Sequence, residues 1–196
     1  LYFKRELLIK NTKIRPISFA IPKLKIIDEI DKEPKNLLAP LIPGKLNTYI
    51  YDSESSYYQM YKKSIFALTY KKAGWDCLRH YEILMNGCIP LFLDIKNCPI
   101  DSITTLPKQK FQHIFEEYSN ILKLYNPFKI FKKKHLSLKR IFYLFLLKSD
   151  DKKIEVFLQN NSEVLDLKKE LLDFTKKNLT TEILAKNTLN SFDKLR

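Results

Sequence analysis

Arg79 and Glu82 stand three residues apart in the segment KKAGWDCLRHYEILMNGCIPLFLD, Lys71 to Asp94. On a helix, residues at that spacing are neighbours on one face. A guanidinium offers a planar fork of donors that grips a phosphate through two bonds. A carboxylate one turn further on accepts two bonds from ribose hydroxyls. Phosphate first and ribose next is how a nucleotide lies over a helix N-terminus, where unpaired N–H groups and the helix dipole favour an anion. The same spacing equally suits an exposed intrahelical ion pair worth about 0.2–0.5 kcal/mol. The spacing alone leaves both readings open.

The neighbouring residues add to the picture. Two of the chain's three glycines, Gly74 and Gly87, lie on either side of this pair within the segment. Gly87 fits a left-handed residue closing the helix. Gly74 fits a sharp turn or a close backbone approach to a ligand. Asp76 is of the right type to cap a helix from Cys77 to Asn86. Lys71 and Lys72 read as solvated lysines that also stand at the ligand end of a strand, where they add attraction for phosphate. Trp75 reads as half-buried packing, with stacking on a ligand ring as the alternative. His80 reads as a hydrogen-bonded structural histidine.

These residues need a scaffold. Asp52 to Ser64 carries helix start and stop signals, with Asp and Ser at its front and lysines at its end. Ile65 to Tyr70 is a short β-rich run, and Cys88 to Asp94 has the pattern of a buried strand. Helix, strand, helix, strand in that order indicates βαβ units and a parallel sheet. In such a sheet, ligands bind beyond the carboxyl ends of the strands. Ile14 to Ile21 reads as an edge strand with its proline. Lys32 to Lys45, with three prolines and a glycine, reads as a loop around a short strand or turn. Beyond Pro107 the pattern predicts a helix over Lys110–Tyr125 and a helix or helix-strand piece over His135–Lys148. It then predicts a strand over Lys153–Gln159, a long helix capped by Ser162, and a further helix from Thr180.

The chain has 196 residues, 45% of them hydrophobic, enough for one α/β domain with its own core. The longest apolar run, Ile141 to Leu147, falls well short of the eighteen or so residues a membrane span requires. The first residues are charged and mixed, unlike a signal peptide, and the chain opens on Leu1, which reads as a fragment of something longer. Three cysteines and three histidines show no metal-ligand spacing. Unpaired cysteines suit reduced thiols and a cytoplasmic compartment. The net charge of +13 implies anionic company, unless lysine is simply the default surface residue.

From Tyr61 to Lys108 the sequence resembles the nucleotide-sugar-binding half of a GT-B glycosyltransferase of the exostosin-like group. The resemblance rests on the strand end at Thr69, the glycine loop at Gly74, Arg79-x-x-Glu82, and Gly87-Cys88-Ile89-Pro90 leading into a strand. Cys98-Pro99 and Leu106 to Lys108 extend it. It implies a Rossmann-like parallel sheet flanked by helices over residues 1–196, lacking most of an N-terminal acceptor domain. It also implies metal-independent transfer of a sugar from a nucleoside-diphosphate donor to a glycan or lipid-linked acceptor, with no separate cofactor. The implied donor-binding residues are Thr69, Lys71, Lys72, Gly74, Trp75, Asp76, Arg79 and Glu82, with Arg79 on the diphosphate and Glu82 on the ribose. Two other classes stay open: a basic nucleic-acid-binding protein, and a non-catalytic remnant of such a transferase.

The stretch from Tyr118 to Ser149 contains no acid and interleaves aromatics with lysines. It suits a core-facing apolar stripe with a solvated basic back, a peripheral contact with an anionic membrane, or nucleic acid.

Overall fold

The computed structural model describes residues 2–7, 13–122 and 151–193. The chain begins with a short parallel pair, β1 (Tyr2–Lys4) against β2 (Ile14–Pro16). The main sheet is parallel and three-stranded, in the order β3 (Asn36–Leu38), β4 (Ser64–Thr69), β5 (Ile89–Phe92). Helix α1 (Glu54–Lys62) connects β3 to β4, and α2 (Leu78–Met85) connects β4 to β5. Then come α3 (Lys108–Tyr118), α4 (Asp151–Asn160), α5 (Val164–Asn178) and α6 (Thr181–Asp193). The architecture is α/β: small parallel sheets flanked by helices.

Local chemistry explains the elements that frame the sheet. Ser53 caps α1, its hydroxyl accepting from Ser56 N–H while the Ser56 side chain accepts from Ser53 N–H. All six residues of β4 are buried, as expected for a strand covered on both faces. Phe66 of β4 packs on the rings of Tyr118 and Phe157, from α3 and α4, at 5.1 and 5.8 Å. Its neighbour Ala67 belongs to a smaller cluster with Met60, Tyr61, Ile83 and Cys88, drawn chiefly from α1 and α2. Adjacent side chains thus serve opposite faces, as the pleat requires. Gly87 takes φ +63° and closes α2, with Gly87 N–H donating to Leu84 O and Cys88 N–H to Ile83 O. That pairing is a Schellman motif.

Several expectations change. The strand expected over Ile14–Ile21 ends at Pro16, and the helix expected over Lys110–Tyr125 begins at Lys108 and ends at Tyr118. Residues Lys153–Gln159 are helical within α4. Ile154 and, three and four residues on, Phe157 and Leu158 turn to the core while Val156 is exposed, so the helical period wins over alternation. Ser162 does not cap α5. Glu163 holds that position without a side-chain cap bond, and its carboxylate accepts from the Tyr118 hydroxyl at 3.1 Å. Asp76 does not cap α2 either. Cys77 is the cap residue and its side chain makes no cap bond, while the Asp76 carboxylate is taken up by Phe19 N–H and the Tyr81 hydroxyl. The segment 135–148 and most of the basic aromatic stretch lie outside the described residues. Among the described residues, no helix is long and apolar enough to cross a membrane.

Lys168 on α5 is buried at the amino edge of the sheet. Its ammonium donates to Ser64 O at 3.2 Å, and Asp31 O lies at 3.5 Å. Burial pushes its pKa down. These bonds tie α5 to the edge opposite the one where ligands bind in such sheets.

Candidate functional site

The chain leaves β4 at Thr69 and enters α2 at Leu78, so the start of α2 stands at the carboxyl edge of the sheet. The loop after β3 lies against this junction, with the Tyr70 hydroxyl donating to Pro43 O at 2.5 Å. The candidate residues divide among three environments around the junction.

The first is a tyrosine-walled cluster on the α1 side of α2. Arg79 is 8% exposed. Its Nη2 donates to the Tyr49 hydroxyl at 2.5 Å, and its guanidinium carbon lies 5.7 Å from the centre of the Tyr49 ring. Nε and Nη1 are buried and have no hydrogen-bond partner among the described residues. Buried polar groups are nearly always satisfied, so two open donors on a buried cation call for an acceptor. Glu82 is half-buried on the same helix. Its Oε2 accepts from the Tyr57 hydroxyl at 2.9 Å, and Tyr57 stands 3.1 Å from the Tyr61 hydroxyl. With Glu82 ionised, the Tyr57 proton is committed to the carboxylate, so Tyr61 is the donor to Tyr57. Burial raises the Glu82 pKa, and the Tyr57 bond and the Arg79 charge oppose that rise. Arg79 and Glu82 do not pair with each other. Each is held by a different tyrosine, so the exposed ion-pair reading does not describe them.

The second environment surrounds Gly74. A Cβ built there would lie 2.8 Å from Glu6 Oε1. The same oxygen accepts a hydrogen bond from Asp76 N–H. Gly74 therefore serves a close approach, by a carboxylate of the chain itself, and it does not adopt positive φ. The Asp76 carboxylate accepts from Phe19 N–H and from the Tyr81 hydroxyl, both at 2.9 Å. It joins the N-terminal segment to α2, and burial raises its pKa.

The third environment is core. Trp75 is buried, 6.4 Å from the Phe92 ring, with Lys71 Nζ 5.3 Å from its own ring. Thr69 and His80 are fully buried and bonded to each other, Thr69 Oγ1 to His80 Nδ1 at 2.8 Å. His80 Nε2 lies 2.9 Å from Trp75 O. A carbonyl carries no proton, so Nε2–H is the donor there. Burial lowers the His80 pKa to about 4, so the ring is neutral and Nδ1 accepts from the Thr69 hydroxyl. This triplet locks the strand end to the helix start.

The structure thus brings Arg79 and Glu82 into one cluster, places Gly74 and Asp76 beside Glu6, and buries Thr69 and Trp75 in packing. Lys71 and Lys72 are exposed on the loop between. Sequence reasoning missed Tyr49, Tyr57, Tyr61 and Glu6. Tyr57 and Tyr61 carried a usable signal, being one turn apart on a helix with a capped start. Tyr49 and Glu6 meet the site only through tertiary structure. Among the described residues, no group of three His, Cys, Asp or Glu could hold a metal ion. No protein-family model, curated protein or solved structure matches the chain significantly.

Proposed function

We propose that the chain is the nucleotide-sugar-binding half of a GT-B glycosyltransferase, built on a Rossmann-like sheet, with Arg79 and Glu82 as its donor-binding pair. In this reading Arg79 takes the diphosphate and Glu82 the ribose. The supporting observation is the buried Arg79 guanidinium at the carboxyl edge of a parallel sheet, with Nε and Nη1 open. A phosphate supplies the charge and the paired oxygens that such a fork lacks.

The chemistry follows from that placement. The bond between the anomeric carbon and the terminal phosphate oxygen breaks, and the diphosphate leaves with the electron pair. Arg79 and the positive end of α2 stabilise the developing charge. The acceptor hydroxyl, on a glycan or lipid-linked sugar, forms the new glycosidic bond and releases its proton. No residue of this chain is assigned as the base that takes it.

Calorimetric titration with UDP, GDP, pyrophosphate and a short oligonucleotide tests the reading. Arg79→Ala should weaken nucleoside-diphosphate binding about ten- to a hundredfold, the value of about 1.5–3 kcal/mol in charge-assisted bonds. Glu82→Gln should weaken nucleoside diphosphates but spare pyrophosphate. Unchanged binding in Arg79→Ala overturns the proposal. Binding of the oligonucleotide alone would favour the nucleic-acid class instead.

A further inference from the structure

We infer that Tyr49 is a displaceable cover over Arg79, occupying the position that a phosphate oxygen takes when the ligand enters. This rests on the assignment of Arg79 to phosphate and adds how the site is opened.

Arg79 is shut off from solvent at Nε and Nη1, so no anion reaches those two nitrogens unless something moves. The Tyr49 phenol is the one hydrogen-bond acceptor on the guanidinium among the described residues. It is also a weak one. A neutral phenol offers a single oxygen and no charge, whereas a phosphate offers several oxygens and a full negative charge, so exchange favours the ligand.

The segment that carries Tyr49 is held at its two ends. On one side Thr48 is buried, and its hydroxyl accepts from Ile42 N–H at 3.1 Å and donates to Lys45 O at 2.8 Å. On the other, Ser53 begins the capping box of α1. Between these anchors Tyr49 is 38% exposed and Ile50 54% exposed, and Leu46, just before them, is 88% exposed. A tyrosine that covers a buried cation yet is itself more than a third exposed, and is followed by an unburied apolar side chain, has incomplete packing to oppose its leaving. Once it swings out, Leu46, Tyr49 and Ile50 form an apolar rim at the mouth of the uncovered site.

Two measurements test this on the chain as described. The first is calorimetric titration of pyrophosphate and UDP into the wild type, Tyr49→Phe and Arg79→Ala. Tyr49→Phe keeps the ring and removes the competing oxygen, so pyrophosphate should bind about five- to tenfold more tightly. The second is modification of Arg79 by phenylglyoxal, followed by mass spectrometry. The rate at Arg79 should rise in Tyr49→Ala, and pyrophosphate should suppress it. If Tyr49→Phe leaves binding unchanged or weaker, or if Tyr49→Ala leaves the modification rate unchanged, the cover is overturned. The donor assignment still stands in that case, provided Arg79→Ala loses binding. If Arg79→Ala binds both ligands as the wild type does, both assignments fall.

Discussion

The carboxylate of Glu6 fills the space that a side chain at Gly74 would need, with Oε1 2.8 Å from the Cβ position. The oxygen also accepts from Asp76 N–H, so one carboxylate both explains the glycine and satisfies the backbone at the start of α2. Glu6 itself sits at φ +56°, an uncommon conformation for a residue with a side chain. The N-terminal segment therefore belongs to the site's architecture although it lies some seventy residues away in sequence, a separation of 70 between Glu6 and Asp76.

Gly74→Ala should push the Glu6 carboxylate off Asp76 N–H and destabilise the chain. In a Glu6→Ala background the three atoms nearest the added methyl are gone, and the same substitution should cost much less. Denaturant unfolding of the four members of the cycle should show a coupling of about 0.5 kcal/mol or more. Equal losses in both backgrounds would mean that the glycine serves something other than Glu6.

Gly87→Ala should be destabilising in any background. The residue takes φ +63°, and a Cβ there would lie 3.1 Å from both Ile27 Cδ1 and Ile30 Cγ2. Left-handed backbone alone costs a non-glycine residue roughly 1–2 kcal/mol. Melting temperature should fall accordingly, and Gly87→Asn should lose less than Gly87→Ala, since Asn tolerates the conformation better. An unchanged melting temperature in Gly87→Ala would show that the Schellman closure contributes nothing to stability.

The burial of His80 should make stability depend on pH. A tenfold change in proton affinity is worth about 1.4 kcal/mol, and the His80 pKa falls from 6.5 to about 4 on burial. A lowered histidine pKa means that the unfolded chain binds more protons between those values. Its contribution, of order 3 kcal/mol, is therefore full above pH 6.5 and lost as pH falls through 4. Asp76 and Glu82 have raised pKa values, so they contribute in the opposite sense, their stabilisation lost as pH rises through the acid range. The measurement is the difference in unfolding free energy between the wild type and His80→Gln from pH 7 to 4. It should shrink toward low pH, and a constant difference would contradict the neutral ring. Thr69→Val, which leaves Nδ1 without its donor, should cost about 1–3 kcal/mol.

Tyr57→Phe should raise the Glu82 pKa further, because the Tyr57 bond opposes the effect of burial. If Glu82 accepts from ribose hydroxyls, nucleoside-diphosphate binding weakens as pH falls through that pKa. In Tyr57→Phe this loss should begin at higher pH, while pyrophosphate binding keeps the pH dependence of the wild type. A shift of both ligands together would place the effect on Arg79 or on the fold instead.

The sequence by itself determined the elements from Asp52 to Asp94. Helix, strand, helix and strand follow from short-range signals: the Ser53 cap, an unbroken apolar β4, the helical period of α2 and a glycine that permits φ +63°. Each of these is settled within a few residues of chain, so each is legible without knowing what lies opposite. That Arg79 and Glu82 share one helix was legible for the same reason. Which side chains hold them was not. Tyr49 reaches Arg79 from the loop after β3, and Glu6 reaches Gly74 from beyond β1, so those contacts exist only once the strands are in register. Asp76 shows the same division, its residue type fitting a helix cap while Phe19 N–H and the Tyr81 hydroxyl take its oxygens. Residues Lys153–Gln159 carry an apolar pattern that both a strand and a helix can use, and the sheet face beside Phe66 selected the helix. Local periodicity fixes what an element can bury. The partner it is buried against is decided by the tertiary structure, because a long-range contact depends on residues that no window of the sequence contains.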